Sequence, residues 1–301
     1  MKDFLRIKDL SSEDFVGLME LTKKIKSQRG VNEEKVLLGK TIGMIFTKPS
    51  TRTRVSFEVA INELGGYSIF LNHKEMQLGK SETLEDTARV LDRYIHGLII
   101  RTYAQSDIVR FAKNSTFPVI NALTNEYHPC QAFCDAFTIF EKTNGTFKNI
   151  KVTFLGDGAC NVANSLADAC RVAGMKLTIG SPEKFAPDEN LISECIKEGV
   201  VRWVVDPVEA VKDADFIYTD TWVSMGFEAD AADRIQLIKP YQLNSALMSK
   251  APSHAKVMHC LPANRNFEVT DEVIDGPNSI VFDQAENRLH GQKTILHLLY
   301  K

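Results

Sequence analysis

At 301 residues, with 44% hydrophobic and 25% charged side chains, the chain has ordinary globular composition and the length of about two domains, which excludes fibrous and disordered classes. A formal net charge of -3 leaves no basic excess to follow a nucleic-acid backbone, so any anion site must be built locally. No stretch approaches the ~20 apolar residues that span a bilayer, and the amino terminus MKDFLRIKDLSSEDF lacks a signal-peptide core, so the expected location is the cytoplasm, with no membrane partner.

An amphipathic helix opens the chain near Ser12 to Gln28. Short apolar runs then alternate with helix-period stretches: TIGMIF, YSIFLN, HGLIIR and PVINAL. A long helical stretch, HPCQAFCDAFTIFEKTNG, ends on a stop signal at Thr143-Asn144-Gly145. From Asn149 the alternation restarts with IKVTFLGD, MKLTIGS, VVRWVV, DFIYTD, AKVMHCL and SIVFDQ, with helices such as NSLADACRVAG between them. The last segment, LHGQKTILHLLYK, has the pattern of an amphipathic helix. The expected fold is α/β: two similar domains, each a parallel sheet flanked by helices, over residues 1–145 and 146–287, with a terminal helix at 288–301 packing back on the first domain. Six scattered cysteines (Cys130, Cys134, Cys160, Cys170, Cys195, Cys260) are expected as reduced thiols. His128, Cys130 and Cys134 match no common zinc spacing, so no metal site is expected.

In open parallel sheets, ligands bind beyond the carboxyl ends of the strands. After TIGMIF the chain runs through Lys48-Pro49 into Ser50-Thr51-Arg52-Thr53-Arg54 at a helix start. Free N–H groups, hydroxyls and a planar guanidinium there make a phosphate cradle; the plainer reading is a Ser N-cap beside two solvated arginines. Arg101 ends the third run, and His128-Pro129-Cys130-Gln131 opens the helix after the fourth. Together they add a cation, an imidazole and an amide to the same rim, suited to binding phosphate and polarising a carbonyl.

In this order, Ser50 to Arg54 and His128 to Gln131 resemble the two signatures of the aspartate and ornithine carbamoyltransferase family, and the resemblance extends along nearly the whole chain. It implies that Ser50, Thr51, Arg52, Thr53 and Arg101 hold carbamoyl phosphate, with His128 and Gln131 at its carbamoyl end. Gln77, in MQLGKSETLEDTARVL, stands at a further ligand position of the family, near a subunit boundary of a trimer. Arg288, in FDQAENRLHGQ, carries over as a late ligand; read without the resemblance it is a surface residue at a helix start. His259-Cys260-Leu261-Pro262 matches the motif that separates ornithine from aspartate enzymes and brings Cys260 and Leu261 to carbamoyl phosphate. Asp220-Thr221-Trp222-Val223-Ser224-Met225-Gly226 resembles the ornithine acceptor loop, with Asp220, Ser224 and Met225 as ligands, and Asn161 in GDGACNVANSL resembles the asparagine that binds the amino-acid end. The domains would thus bind carbamoyl phosphate and ornithine respectively.

The plainer alternatives are a helix cap for Asp220 and an apolar filler for Cys260. Three positions depart from the family pattern: Cys130 replaces a hydroxyl or small residue, Ala159-Cys160 replaces a polar pair and leaves Asn164 as an alternative to Asn161, and Ser81 stands where glycine is common. The implied reaction moves the carbamoyl group of carbamoyl phosphate to the δ-amine of ornithine, giving citrulline and phosphate, and needs no metal or organic cofactor. Arg52, Arg101, His128, Asp220 and Cys260 would act on the reacting groups. Putrescine and aspartate are rival acceptors; Asn161 and Ser224-Met225 favour an α-amino acid, and no extra cation stands ready for a second carboxylate. A nucleotide-binding oxidoreductase lacks the GxGxxG spacing, and a catalytically silent regulatory homologue remains a separate reading.

Overall fold

The computed structural model describes residues 1–73, 76, 82–223 and 231–301. By contact the chain divides into two units, Met1–Phe137 with Asn287–Lys301, and Thr138–Glu286.

The first unit contains α1 (Ser12–Ser27), β1 (Thr41–Phe46), α2 (Thr51–Glu63), β2 (Tyr67–Asn72), α3 (Leu84–Leu91), β3 (Gly97–Arg101), α4 (Gln105–Lys113), β4 (Val119–Leu123) and most of α5 (Pro129–Lys142). Its four strands are parallel in the order β2-β1-β3-β4. The β3 and β4 runs are buried throughout, as near-continuous apolar strands covered on both faces should be. Phe4 lies along the outer edge of β4, exchanging backbone bonds with Val119 and Asn121, so that edge is paired; β2, the other edge, exposes Tyr67 and Ile69. The order reverses between β1 and β3, whose carboxyl ends stand side by side, with Phe46 opposite Arg101. That switch point is where the fold leaves a crevice, and Ser50 and Arg101 flank it.

The second unit holds β5 (Lys151–Leu155), α6 (Asn161–Ala173), β6 (Lys176–Gly180), α7 (Ser193–Lys197), β7 (Val201–Val204), α8 (Pro207–Val211), β8 (Phe216–Thr219), α9 (Ala231–Ile238), α10 (Ser245–Met248), β9 (Lys256–His259) and α11 (Asp271–Ile274). Its parallel order is β7-β6-β5-β8-β9, with the reversal between β5 and β8. A core of Leu155, Ile217, Trp222, Tyr241, Val257 and Val281 lies under this sheet. Leu155 pairs with Thr219 and Thr219 with His259, so the residues following β5, β8 and β9 leave the sheet together.

The final helix, α12 (Val281–Tyr300), corrects two expectations. SIVFDQ is not a strand: Ser279 makes one isolated bridge to Val257, and the helix begins two residues later. The Gln284 side chain accepts the His259 backbone N–H at 2.9 Å, tying the first turn of α12 to the end of β9. Arg288 therefore lies inside a helix and is buried, not at a surface helix start. From Asn287 onward α12 packs on the first unit. Lys293 is buried between Glu33 (2.6 Å) and Glu63 (2.9 Å), His297 meets Glu34, and Tyr300 donates to the His96 carbonyl. Gly291 permits the approach to α5, since a Cβ there would lie 2.4 Å from Cys134 Sγ.

Candidate active site

Ser50 caps α2, its hydroxyl accepting from the Thr53 N–H at 3.3 Å. The first turn of this helix contains no acid but carries Arg52 and Arg54. Cations at the positive end of a helix oppose its dipole, the reverse of the usual preference, and a bound anion between them would remove the conflict. Thr51 and Arg52 are exposed, as is Arg54, which pairs with Glu58 (2.9 Å) and lies over the Phe70 ring.

Behind this turn the side chains interlock. Arg288 donates to Thr53 Oγ1 at 3.0 Å and to the Gln131 amide oxygen, while Gln131 Nε2 donates to Asp135 Oδ1 at 2.8 Å. All four residues are buried. Arg101 is buried at the end of β3. Burial first, then the charges of Arg288 and Arg101, hold the His128 imidazole well below its usual pKa, so the ring is neutral at neutral pH. A neutral imidazole beside two guanidinium groups can donate to a carbonyl oxygen without adding a third positive charge. Cys130, the family departure, points away into β4, donating to the Asn121 carbonyl at 3.2 Å, and burial pushes its thiol up to about 12.

In the second unit, Cys260 Sγ donates to Asp220 Oδ1 at 2.8 Å. The sheet explains the meeting, because these residues follow the paired ends of β9 and β8. Asp220 Oδ1 also accepts the Thr221 N–H at 2.7 Å. Burial, followed by Asp157 and Asp220, raises the Cys160 thiol, which places the Asp220 charge near the amino end of α6. Asn161 is the first residue of α6 and half-buried; Asn164 is buried and donates to the Ala159 carbonyl, which makes Asn161 the more accessible of the two. Cys160 itself takes the N-cap position, its sulfur accepting from the Ala163 N–H at 3.4 Å.

Leu261 adopts φ 55, a left-handed conformation that costs a residue with a side chain on the order of 1 kcal/mol. His259 and Glu268 impose it. His259 Nδ1 accepts the Leu261 N–H at 2.8 Å, Nε2 faces Glu268 at 3.2 Å, and Glu268 also accepts from the Asn264 N–H. Among the described residues Asp220, His259 and Cys260 bring potential metal ligands within 4.8 Å, but both ring nitrogens of His259 are already committed to Leu261 and Glu268. Gln77, Ser81, Ser224 and Met225 lie outside the described residues.

Sequence reasoning overlooked several supporting groups. Lys48 is buried and donates to Asn125 Oδ1 at 2.6 Å, with its ammonium over Tyr103. Asp135 follows Gln131 by four residues, a same-face helical spacing that could have flagged it. Arg234 in α9 pairs with Asp157 in the turn before α6, and its guanidinium lies 4.4 Å from the Phe185 ring centre. In that turn, a Cβ on Gly158 would come within 2.8 Å of the Phe185 carbonyl. Arg234→Ala should therefore cost about 3 kcal/mol, since it strands a mostly buried carboxylate. Thermal melting would register this as a loss of several degrees; an unchanged melting temperature would show the ion pair to be dispensable.

Two family models match the chain: the carbamoyl-P binding domain of aspartate/ornithine carbamoyltransferase over residues 2–141, and the Asp/Orn binding domain over 148–299. The second match runs into the segment of α12 that packs on the first unit. Similar proteins include the ornithine carbamoyltransferase of Bacillus thuringiensis, 47% identical and covering 100% of this chain and 95% of its own, and that of Syntrophus aciditrophicus, 47% identical with 99% of each covered. The solved ornithine carbamoyltransferase from Pyrococcus furiosus superposes with a TM-score of 0.94 at 47% identity, over 99% of this chain and 96% of that one. Matched along both halves in sequence, and in structure across nearly its whole length, the chain belongs to the aspartate/ornithine carbamoyltransferase family.

Proposed function

We propose that this chain transfers the carbamoyl group of carbamoyl phosphate to the δ-amine of L-ornithine, giving L-citrulline and phosphate. The reaction class follows from the family. The acceptor rests on the shared name of relatives about half identical along the whole chain, and the single geometric observation that supports it is the Cys260–Asp220 hydrogen bond. Residues 1–145, with 288–301, form the carbamoyl-phosphate domain and 146–287 the ornithine domain.

Ser50, Thr51, Arg52, Thr53 and Arg101 hold the phosphate, joined by Gln77. His128, Gln131 and Arg288 meet the carbamoyl end, with Cys260 and Leu261 as further ligands. Thr53 and Gln131 are both already hydrogen-bonded to Arg288 within one unit, which supports carbamoyl phosphate as the first substrate to bind. Asn161, Ser224 and Met225 take the amino-acid end of ornithine, and Asp220 takes its ammonium. An alkylammonium of pKa near 10.4 is free amine in about one molecule per thousand at neutral pH, roughly 4 kcal/mol uphill. Asp220, oriented by the Cys260 thiol, offers the carboxylate that positions the δ-nitrogen and receives its proton. As the nitrogen bonds to the carbamoyl carbon, charge grows on the carbonyl oxygen and meets neutral His128, Arg101 and Thr53. The bond to phosphate then breaks, and the leaving dianion stays with the arginines and helix-start amides.

The family resemblance also supports a homotrimer, and the exposed apolar side chains of Leu38, Val55, Tyr67 and Ile69 supply surface for self-association. Among the described residues no helix is long and apolar enough to cross a membrane, which supports a cytoplasmic location. The test is to give the purified protein carbamoyl phosphate with ornithine, putrescine or aspartate separately and to measure carbamoylated product and phosphate. Ornithine should exceed the other acceptors by at least about 10²-fold in kcat/KM. Preference for putrescine would overturn the acceptor site alone, and silence with all three would overturn the reaction.

A further inference from the structure

We propose that Asp135 is a positioning residue that fixes the orientation of the Gln131 amide, turning its carbonyl oxygen to the substrate's NH2 group and so selecting carbamoyl phosphate over acyl phosphates that lack that group. The inference rests on the reading that Gln131 meets the carbamoyl end. An amide side chain is nearly symmetric in shape, and its direction is decided only by its hydrogen-bonding neighbours. Gln131 has two neighbours with opposite and single roles. Asp135, as a carboxylate, only accepts, and takes Nε2 at 2.8 Å; the Arg288 guanidinium only donates, and takes Oε1.

Reversing the amide would set oxygen against carboxylate and NH2 against guanidinium at once. Both contacts would be repulsive in a place where Gln131 is 1% and Asp135 0% exposed, so water cannot relieve them. The oxygen is therefore held on the side of Arg288 and Thr53, which are themselves hydrogen-bonded at 3.0 Å. An acceptor locked in that direction can receive an N–H from a carbamoyl group. Against the methyl of acetyl phosphate it has no partner, and a site built around a hydrogen bond discriminates against an analogue that cannot make it. Helical geometry accounts for the arrangement: Gln131 and Asp135 are one turn apart on α5 and share a face.

The test compares KM for carbamoyl phosphate with the inhibition constant of acetyl phosphate, measured as a competitor. In Asp135→Ala, KM for carbamoyl phosphate should rise roughly tenfold, the worth of one well-placed hydrogen bond, with acetyl phosphate changed by less than about twofold and KM for ornithine unmoved. Asp135→Asn keeps an acceptor of the same size and leaves Arg288 to select the direction, so it should hold the discrimination within about threefold of the unmodified protein. Equal weakening of both phosphates in Asp135→Ala, or no change in their ratio, overturns the proposal. If the alanine variant does not fold, Asp135→Leu decides: it fills a similar volume without an acceptor and should weaken carbamoyl phosphate alone, so parallel weakening of both phosphates in it is equally fatal. Gln131→Ala separates the two layers: retained discrimination there sinks the reading of Gln131, whereas loss there with retention in Asp135→Ala sinks only the role of Asp135.

Discussion

Arg52→Ala should lower kcat/KM for carbamoyl phosphate about 10³- to 10⁴-fold while leaving the melting temperature unchanged or slightly raised. The two halves of this expectation come from one observation. Arg52 sits exposed in the first turn of α2, in a turn without acids, where its charge opposes the helix dipole by about 0.3–1 kcal/mol. Removing it relieves that opposition. In the proposed reaction the same guanidinium faces a phosphate that becomes a leaving group, and a planar fork to a phosphate strengthens as charge accumulates on the oxygens. Steady-state kinetics and thermal melting of the same preparation separate the effects. A rate loss below tenfold would remove the anion cradle from the mechanism, and a large fall in melting temperature would make Arg52 structural.

His128→Ala should lower kcat about 10²- to 10³-fold and change KM for ornithine by less than about threefold, because in the proposed reaction the imidazole acts on the carbamoyl oxygen and not on the acceptor. A comparable rise in KM for ornithine would place it elsewhere. The same residue predicts a pH effect on stability. Burial and the charges of Arg288 and Arg101 depress its pKa in the folded protein, so below about pH 6.5 the unfolded chain binds a proton that the folded chain refuses. Stability from this source is complete above about pH 6.5 and is lost as pH falls toward the depressed folded value, by up to about 1.4 kcal/mol per pH unit. Melting at pH 7.5 and 5.5 should show a steeper fall for the unmodified protein than for His128→Ala. Equal slopes would mean that the folded ring takes up its proton as readily as the unfolded one.

The parallel strands were legible in the sequence because each is a short apolar run closed by a polar start: TIGMIF and YSIFLN coincide with β1 and β2 residue for residue. SIVFDQ has the same local look, yet it lies across the start of α12; so short an apolar run does not separate a buried strand from a buried helix turn. The polar groups at strand ends were legible for a similar reason, since the doubly wound topology brings such ends together wherever they occur in the chain. Arg288 was legible only through family resemblance. Its burial depends on Gln131 and Thr53, which lie 157 and 235 positions away, and no local pattern encodes such a partnership. Asp135 and Arg234 escaped notice because each acts on another side chain.

The first unit is assembled from two stretches of chain separated by the whole of Thr138–Glu286. Ribosomes add about 5–20 residues per second, so Arg288 is synthesised roughly eight to thirty seconds after Phe137. Throughout that interval a nascent chain can form the β2-β1-β3-β4 sheet, but Gln131 and Thr53 lack the guanidinium they share, and Glu33 and Glu63 lack Lys293. Completion of the Thr53–Arg288–Gln131 network is thus a late event in biosynthesis, and folding intermediates arrested before it should expose the α5 surface around Cys134 to chaperones and thiol reagents.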